Sequence, residues 1–305
     1  MKGEAKMATV PEGVCPILAT PFTDKGGIDY ESLEKLTLWL IDKGAAAVTM
    51  FGIGSEYYKL SDQERNRMIE LVIGTAKKQI PVIVSVTKHA AELAVEDAVF
   101  AQAMGADVLM LLPPFILSPS PEATTHHIES VCQAVEIPVI VQYAPEMTGV
   151  KIGADVFIGL ARKYPQIAYK IENKPPGKLI SSIIEGSGGA VKIYIGNAGF
   201  QLMEGLRRGA VGVMPGSSMI EVYGKIYALF KQGRYDDAVA IHDELLPLLN
   251  CIRQSTEELI KAEKVILKRR GVIASDYCRK PTFAFDELLQ EDFDRYYKYI
   301  EKYLQ

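Results

Sequence analysis

The chain has 305 residues, of which 48% are apolar and 24% charged, and a formal net charge of −4. That is the balance of a soluble globular protein, and with no long Lys/Arg run it argues against a polyanion-binding surface and so against a nucleic-acid partner. No apolar stretch is long enough to cross a bilayer without charges or prolines, which argues against a membrane-spanning role.

Residues 1–12 read as a ragged lead-in, and the opening MKGEAKMATVPEGV carries no apolar core of a signal peptide. The four cysteines, Cys15, Cys132, Cys251 and Cys278, are scattered with no close pair. That spacing suits neither a zinc site nor a disulfide framework, so the expected setting is reduced and cytoplasmic, with no metal.

From residue 13 two textures alternate. Short runs rich in Val, Ile and Leu fall at 13–22, 45–52, 81–87, 106–114, 138–145, 167–173, 192–199 and 209–218. Unbroken apolar runs of this length suit strands buried on both faces. Segments of helical spacing separate them. One at 29–43 follows the first run, and one at 61–78 follows the second and opens with a capping box, Ser61 to Glu64. The next covers 90–104. Another at 120–135 starts with Ser120 as N-cap and Pro121 at the first helical position. Gly44, Gly105 and Gly209 stand where a helix must stop before the next strand.

Eight strand-helix units predict an α/β fold, a closed (β/α)8 TIM barrel over residues 13–232. An open doubly wound sheet is the alternative, but it calls for fewer units and an early glycine-rich phosphate loop, which this sequence lacks. Beyond residue 218 the texture is helical, at 219–232, 235–254, 257–270 and 283–304. Residues 233–305 therefore read as a C-terminal helical extension, packed on the barrel or at a subunit contact.

In such barrels chemistry is done at the C-terminal ends of the strands. Lys170 lies late in the sixth run, within Tyr169-Lys170-Ile171-Glu172. A charged lysine among apolar strands is costly, which favours the neutral amine, and a neutral amine attacks ketones. The plain alternative is a lysine that snorkels out from a strand end. After the second run, Gly52-Ile53-Gly54-Ser55-Glu56 can turn tightly and offer N–H groups, and Ser55 a hydroxyl, to a substrate carboxylate. An ordinary strand-to-helix turn would have the same glycines.

Gln142 and Tyr143 end the fifth run, and alternation lets only one of them face the interior. Either would place a polar group above the reacting centre. Asn197 in the seventh could bond a substrate hydroxyl, or serve turn chemistry alone. Lys88 and His89 read as a solvated loop or helix start. His126 and His127 are adjacent on a helix and point apart, so they make no metal pair.

Several segments together resemble the dihydrodipicolinate synthase / N-acetylneuraminate lyase family. These are GVCPILATPF at 13–22, GIGSE at 52–56, Lys170 in YKIE, and GAVGVMPG at 209–216, in matching order over nearly the whole chain. The resemblance implies a barrel lyase, a homotetramer or dimer, and a Schiff base on Lys170 that needs no cofactor. The departures are as informative. Gln142 stands where the family's tyrosine is usual, Met147 where its synthases carry an arginine, and Ile116 where a second tyrosine is expected. Ile53 and Gly54 replace two adjacent hydroxyl residues.

Gln142, with the Lys-x-Glu-x-x-Pro-Pro pattern of 170–176, resembles the 2-keto-3-deoxy sugar-acid branch. The expected activity is that of a Schiff-base dehydratase or aldolase acting on pyruvate or a small 2-oxo acid. Lys170, Gln142 and Tyr143 are expected to be catalytic, with Gly52, Ile53, Gly54, Ser55 and Asn197 binding substrate. The alternatives are a 4-hydroxy-tetrahydrodipicolinate synthase whose relay is rebuilt from Tyr143, Tyr57 or Tyr58, and a non-catalytic sensor of 2-oxo acids.

Overall fold

The computed structural model describes residues 9–304; positions 1–8 of the expected lead-in lie outside the described residues. Eight parallel strands form one sheet: β1 (Gly13–Val14), β2 (Val48–Met50), β3 (Val82–Val86), β4 (Val108–Leu111), β5 (Val139–Tyr143), β6 (Ile167–Ile171), β7 (Lys192–Ile195) and β8 (Gly212–Val213). Their order is β1-β8-β7-β6-β5-β4-β3-β2. The ring closes between its two ends: Ala46 N–H donates to Val14 O at 2.9 Å, Thr49 N–H to Pro16 O at 2.9 Å, and Leu18 N–H to Thr49 O at 2.8 Å. At the other seam Gly13 pairs with Gly212, where a Cβ on Gly212 would lie 2.2 Å from Gly13 O. Only glycine permits that approach.

Helices α1 (Tyr30–Asp42), α2 (Asp62–Ala76), α3 (Ala91–Ala103) and α4 (Pro121–Ala134) cover the first strands, each starting near its expected position. Asp29 caps α1 by accepting from Ser32 N–H at 3.0 Å. Ser61 and Glu64 form the reciprocal capping box of α2, and Ser120 accepts from Ala123 N–H at the head of α4. Such a cap is worth about 1 kcal/mol. Gly44, Gly105 and Gly209 have φ of 77°, 101° and 97°, the left-handed geometry that ends a helix. The second half holds α5 (Pro145–Thr148), α6 (Ala154–Lys163), α7 (Gly177–Gly186), α8 (Leu202–Arg207) and α9 (Ile220–Lys231).

The strands read as unbroken apolar runs because both faces are covered. Ile140 and Ala168 point into the barrel with Ile83, Met110 and Tyr194, whereas Val139, Val141, Tyr169 and Ile171 join the larger shell beneath the helices. Tyr169 shows how the outer face is held: its ring meets Phe157 of α6 edge-on at 4.8 Å, and its hydroxyl donates to Phe157 O at 2.7 Å. The alternation that turns Tyr169 outward turns Lys170 inward.

The chain continues as α10 (Tyr235–Ile252), α11 (Thr256–Arg269) and α12 (Glu287–Glu301). Helix α11 joins the C-terminal ends of the strands. Its Lys264 reaches Glu56 after β2, its Glu263 accepts from Ser218 N–H after β8 at 2.9 Å, and the following Arg270 donates to Ser218 O at 2.7 Å. No helix among the described residues is long and apolar enough to cross a membrane, and all four cysteines are free.

Candidate active site

A cavity of about 410 Å³ opens at the C-terminal ends of the strands. Lys170, Gln142, Glu172, Asn197, Ile53 and Gly54 line it from the strand side. Lys170 is 4% exposed, and β5 and β6 set Gln142 beside it in register. Two residues further along the same inward face stands Glu172, with Oε1 3.2 Å from Lys170 Nζ.

Glu172 is the hub. Gln142 Nε2 donates to its Oε2 at 2.7 Å, and Asn197 N–H donates to its Oε1 at 2.8 Å. Burial pushes its carboxyl up, but the Lys170 charge together with the donors from Gln142 and Asn197 outweighs burial and holds it below the ordinary value. The close approach needs Gly196: a Cβ there would lie 2.2 Å from Glu172 Oε1. Asn197 itself has φ of 54°, a left-handed position that asparagine tolerates better than most residues.

The glycine loop divides its labour. Ile53 and Gly54 line the cavity. The N–H groups of Ser55 and Glu56 close the turn on Gly52 O and Ile53 O. Among the described residues, those of Ile53 and Gly54 have no partner and remain available to an anion. Ser55 differs from the expectation: its hydroxyl donates to Leu18 O at 2.5 Å and its carbonyl accepts from Thr20, so it braces the loop against the segment that follows β1. Gly52 does not line the cavity either. It lies beneath the turn, where a Cβ would be 2.8 Å from Ile17 Cγ2. Both shape the loop and neither presents a group to a ligand.

Tyr143 is the larger correction. It points outward, its ring 5.1 Å from that of Phe157 and its hydroxyl 3.3 Å from Ile152 O, because Gln142 takes the inward position on β5. Tyr57 and Tyr58 are also outside the cavity, and Tyr58 donates to Glu257. Among the described residues no tyrosine, histidine or cysteine lines it. Met147 does, whereas Ile116 is 61% exposed on the loop after β4 and does not. Lys88 pairs with Asp62 and Asp97 on the surface, as a solvated helix start should.

Two sets of residues were not anticipated. Glu172 was visible as the Glu of the Lys-x-Glu-x-x-Pro-Pro pattern and as the second inward position after Lys170, but no role was assigned to it. Arg253, Gln254, Ser255 and Thr256, between α10 and α11, wall the cavity from the extension and carried no sequence signal. Arg253 donates to Asn197 Oδ1, and its guanidinium lies 4.5 Å over the Phe200 ring. Glu263 also lines the cavity. Burial raises its carboxyl above the ordinary range despite the Ser218 and Ser217 N–H donors.

This arrangement offers an amine, an adjacent ionised carboxylate and a pair of free N–H groups in one enclosure. The dihydrodipicolinate synthetase family model matches residues 10–299. An L-2-keto-3-deoxyarabonate dehydratase of Azospirillum brasilense is 29% identical over 274 residues, covering 88% of each chain. A 4-hydroxy-tetrahydrodipicolinate synthase of Methanopyrus kandleri is 29% identical over 251 residues, 81% of this chain and 83% of that one. The solved dihydrodipicolinate synthase of Rhodopseudomonas palustris superposes with a TM-score of 0.88 at 27% identity, covering 95% of this chain and 99% of that one.

Proposed function

Since the chain belongs to the dihydrodipicolinate synthetase family, we propose that it is a Schiff-base lyase that dehydrates a 2-keto-3-deoxy sugar acid through Lys170. The observation that carries this reading is the Lys170–Glu172–Gln142 cluster inside a cavity without a tyrosine. The substrate carboxylate lies on the Ile53 and Gly54 N–H groups. Lys170 gives up one proton and adds through its amine to the C2 ketone; that proton returns to the carbinolamine hydroxyl, which leaves as water and gives a positively charged iminium. Ionised Glu172 stabilises that charge without reorganising, because Gln142 and Asn197 already hold it.

The iminium draws electrons from the C3–H bond, and Glu172 is the acceptor for that proton. The resulting enamine pushes out the C4 hydroxyl, which leaves as water with the proton returned from Glu172. Hydrolysis of the conjugated iminium frees Lys170 and an unsaturated 2-oxo acid that tautomerises. The net change is loss of one water, with no oxidant or reductant. Gln142 fixes the Glu172 rotamer, and Asn197, which accepts from Arg253 at Oδ1 and donates from Nδ2 to Gln201 Oε1 at 3.2 Å, supports the cavity wall rather than offering a free group to a substrate hydroxyl.

Two measurements test this. Borohydride reduction with pyruvate must add mass at Lys170 and nowhere else; addition at another lysine, or none, overturns the Schiff base. A panel of 2-keto-3-deoxy sugar acids must then give dehydrated product and no pyruvate, since pyruvate release would mean aldol cleavage. The synthase relative from Methanopyrus kandleri favours a second reading, condensation of pyruvate with aspartate semialdehyde. A coupled assay with those two compounds decides between them. The outward Tyr143 and the Met147 side chain in the cavity weigh against condensation.

A further inference from the structure

Arg253 is the arginine that lines the cavity, and it reaches there from outside the barrel. It is half-buried, with its guanidinium face on the Phe200 ring and one N–H on Asn197 Oδ1. No carboxylate among the described residues forms an ion pair with it, whereas Arg208, Arg269, Arg270 and Arg279 each have one. The nearby Glu172 is already engaged, Oε1 by Lys170 and Asn197, Oε2 by Gln142. A guanidinium stays charged in any protein setting, and partial burial without a counter-charge costs stability.

The Ile53–Gly54 loop follows β2, and Asn197 follows β7, three steps round the ring by way of β1 and β8. An acid held by its C1 carboxylate on the first loop, and by C2 on Lys170, directs its tail toward Asn197 and Arg253. A tail ending in a hydroxyl leaves the guanidinium without an ion pair of its own, with the Glu172 charge acting on it only from a distance. A tail ending in a carboxylate meets it as a charge-assisted, two-pronged pair.

We propose that Arg253 is the counter-charge for a second carboxylate at the far end of the substrate, so that the enzyme selects 2-oxo-3-deoxy dicarboxylates over sugar acids with a neutral tail. Asn197 holds the fork in position, and Phe200 supports its face. This inference rests on the Schiff-base reading and narrows its substrate class.

The test uses unreactive probes in the borohydride assay. The concentration giving half-maximal trapping at Lys170 is measured for 2-oxoadipate and for 2-oxohexanoate, which differ only in the distal carboxylate. The expected preference for 2-oxoadipate is roughly 30-fold, the low end for a partly buried charge pair. In Arg253→Met the two values converge, and in Arg253→Lys part of the preference returns. Equal trapping in the wild-type protein, or a preference that survives Arg253→Met, overturns the proposal. Should no 2-oxo acid, pyruvate included, be trapped at Lys170, the Schiff-base reading itself falls. Trapping without discrimination removes only the role given to Arg253.

Discussion

Among the described residues two lysines are buried beside carboxylates, and the proposed chemistry uses only one of them. Lys264 is fully buried on α11, bonded to Glu56 and to Tyr277 O at 3.0 Å, with its ammonium 4.2 Å from the Phe22 ring. Burial pushes its pKa down, and the Glu56 charge opposes the fall. Lys170 is almost as buried, yet its one ion pair is longer and its Nζ belongs to a cavity wall. Burial beside an acid therefore does not make a nucleophile. What distinguishes Lys170 is an incomplete set of partners and room for a ketone.

The largest effect that could break this comparison is on turnover. Lys170→Ala should abolish product and borohydride-dependent mass gain. The melting temperature should move by no more than a few degrees, the scale of about 1 kcal/mol in a chain of this size. Retained activity would remove Lys170 from the chemistry. Glu172→Gln should lower kcat by about 10²–10⁴-fold, as loss of a proton-transfer group does. Its pH profile sharpens the point. Because the Glu172 carboxyl lies below its ordinary 4.5, the wild-type acid limb should fall below that value, and it should vanish in the variant. The sign for stability is the same: the contribution of the pair is present above the unfolded-state value and lost as pH falls through the lower folded one.

Lys264→Met should act on folding instead, costing about 3 kcal/mol by denaturant titration, the low end for a broken buried pair. Lys59, 3.1 Å from Glu56, retains part of the compensation. Mass gain at Lys170 should persist in this variant; its loss would erase the distinction between the two lysines. The smallest effect belongs to Tyr143→Phe, with kcat changed less than about twofold, since the ring faces α6 and the hydroxyl takes no part in proton transfer. A hundredfold loss there would restore the tyrosine relay.

Most of the barrel was legible because both-face burial makes strands read as apolar runs and polar caps mark α1, α2 and α4. The helices between β5 and β8 were harder to place. Helix α8 has six residues and α5 four, too few to display a period. Lys170 was legible as a lysine late in an apolar strand, whereas alternation let only one of Gln142 and Tyr143 face inward and could not choose between them. Ser55 was misplaced because a hydroxyl in a loop carries no mark of whether it faces a ligand or the chain. Arg253 was invisible because its place is set by tertiary packing of α10 and α11, with no local pattern.

The wall formed by residues 253–256 has a consequence for how such an enzyme diversifies. The imine chemistry is written on strands that share one hydrogen-bonded ladder, where a change of register would disturb every neighbour. Arg253 lies on a short link between two helices outside that ladder. Replacements there can alter which tail is accepted while leaving Lys170, Glu172 and Gln142 in place. A new tail preference can thus be written on the link between α10 and α11, with the residues on the strands left unchanged.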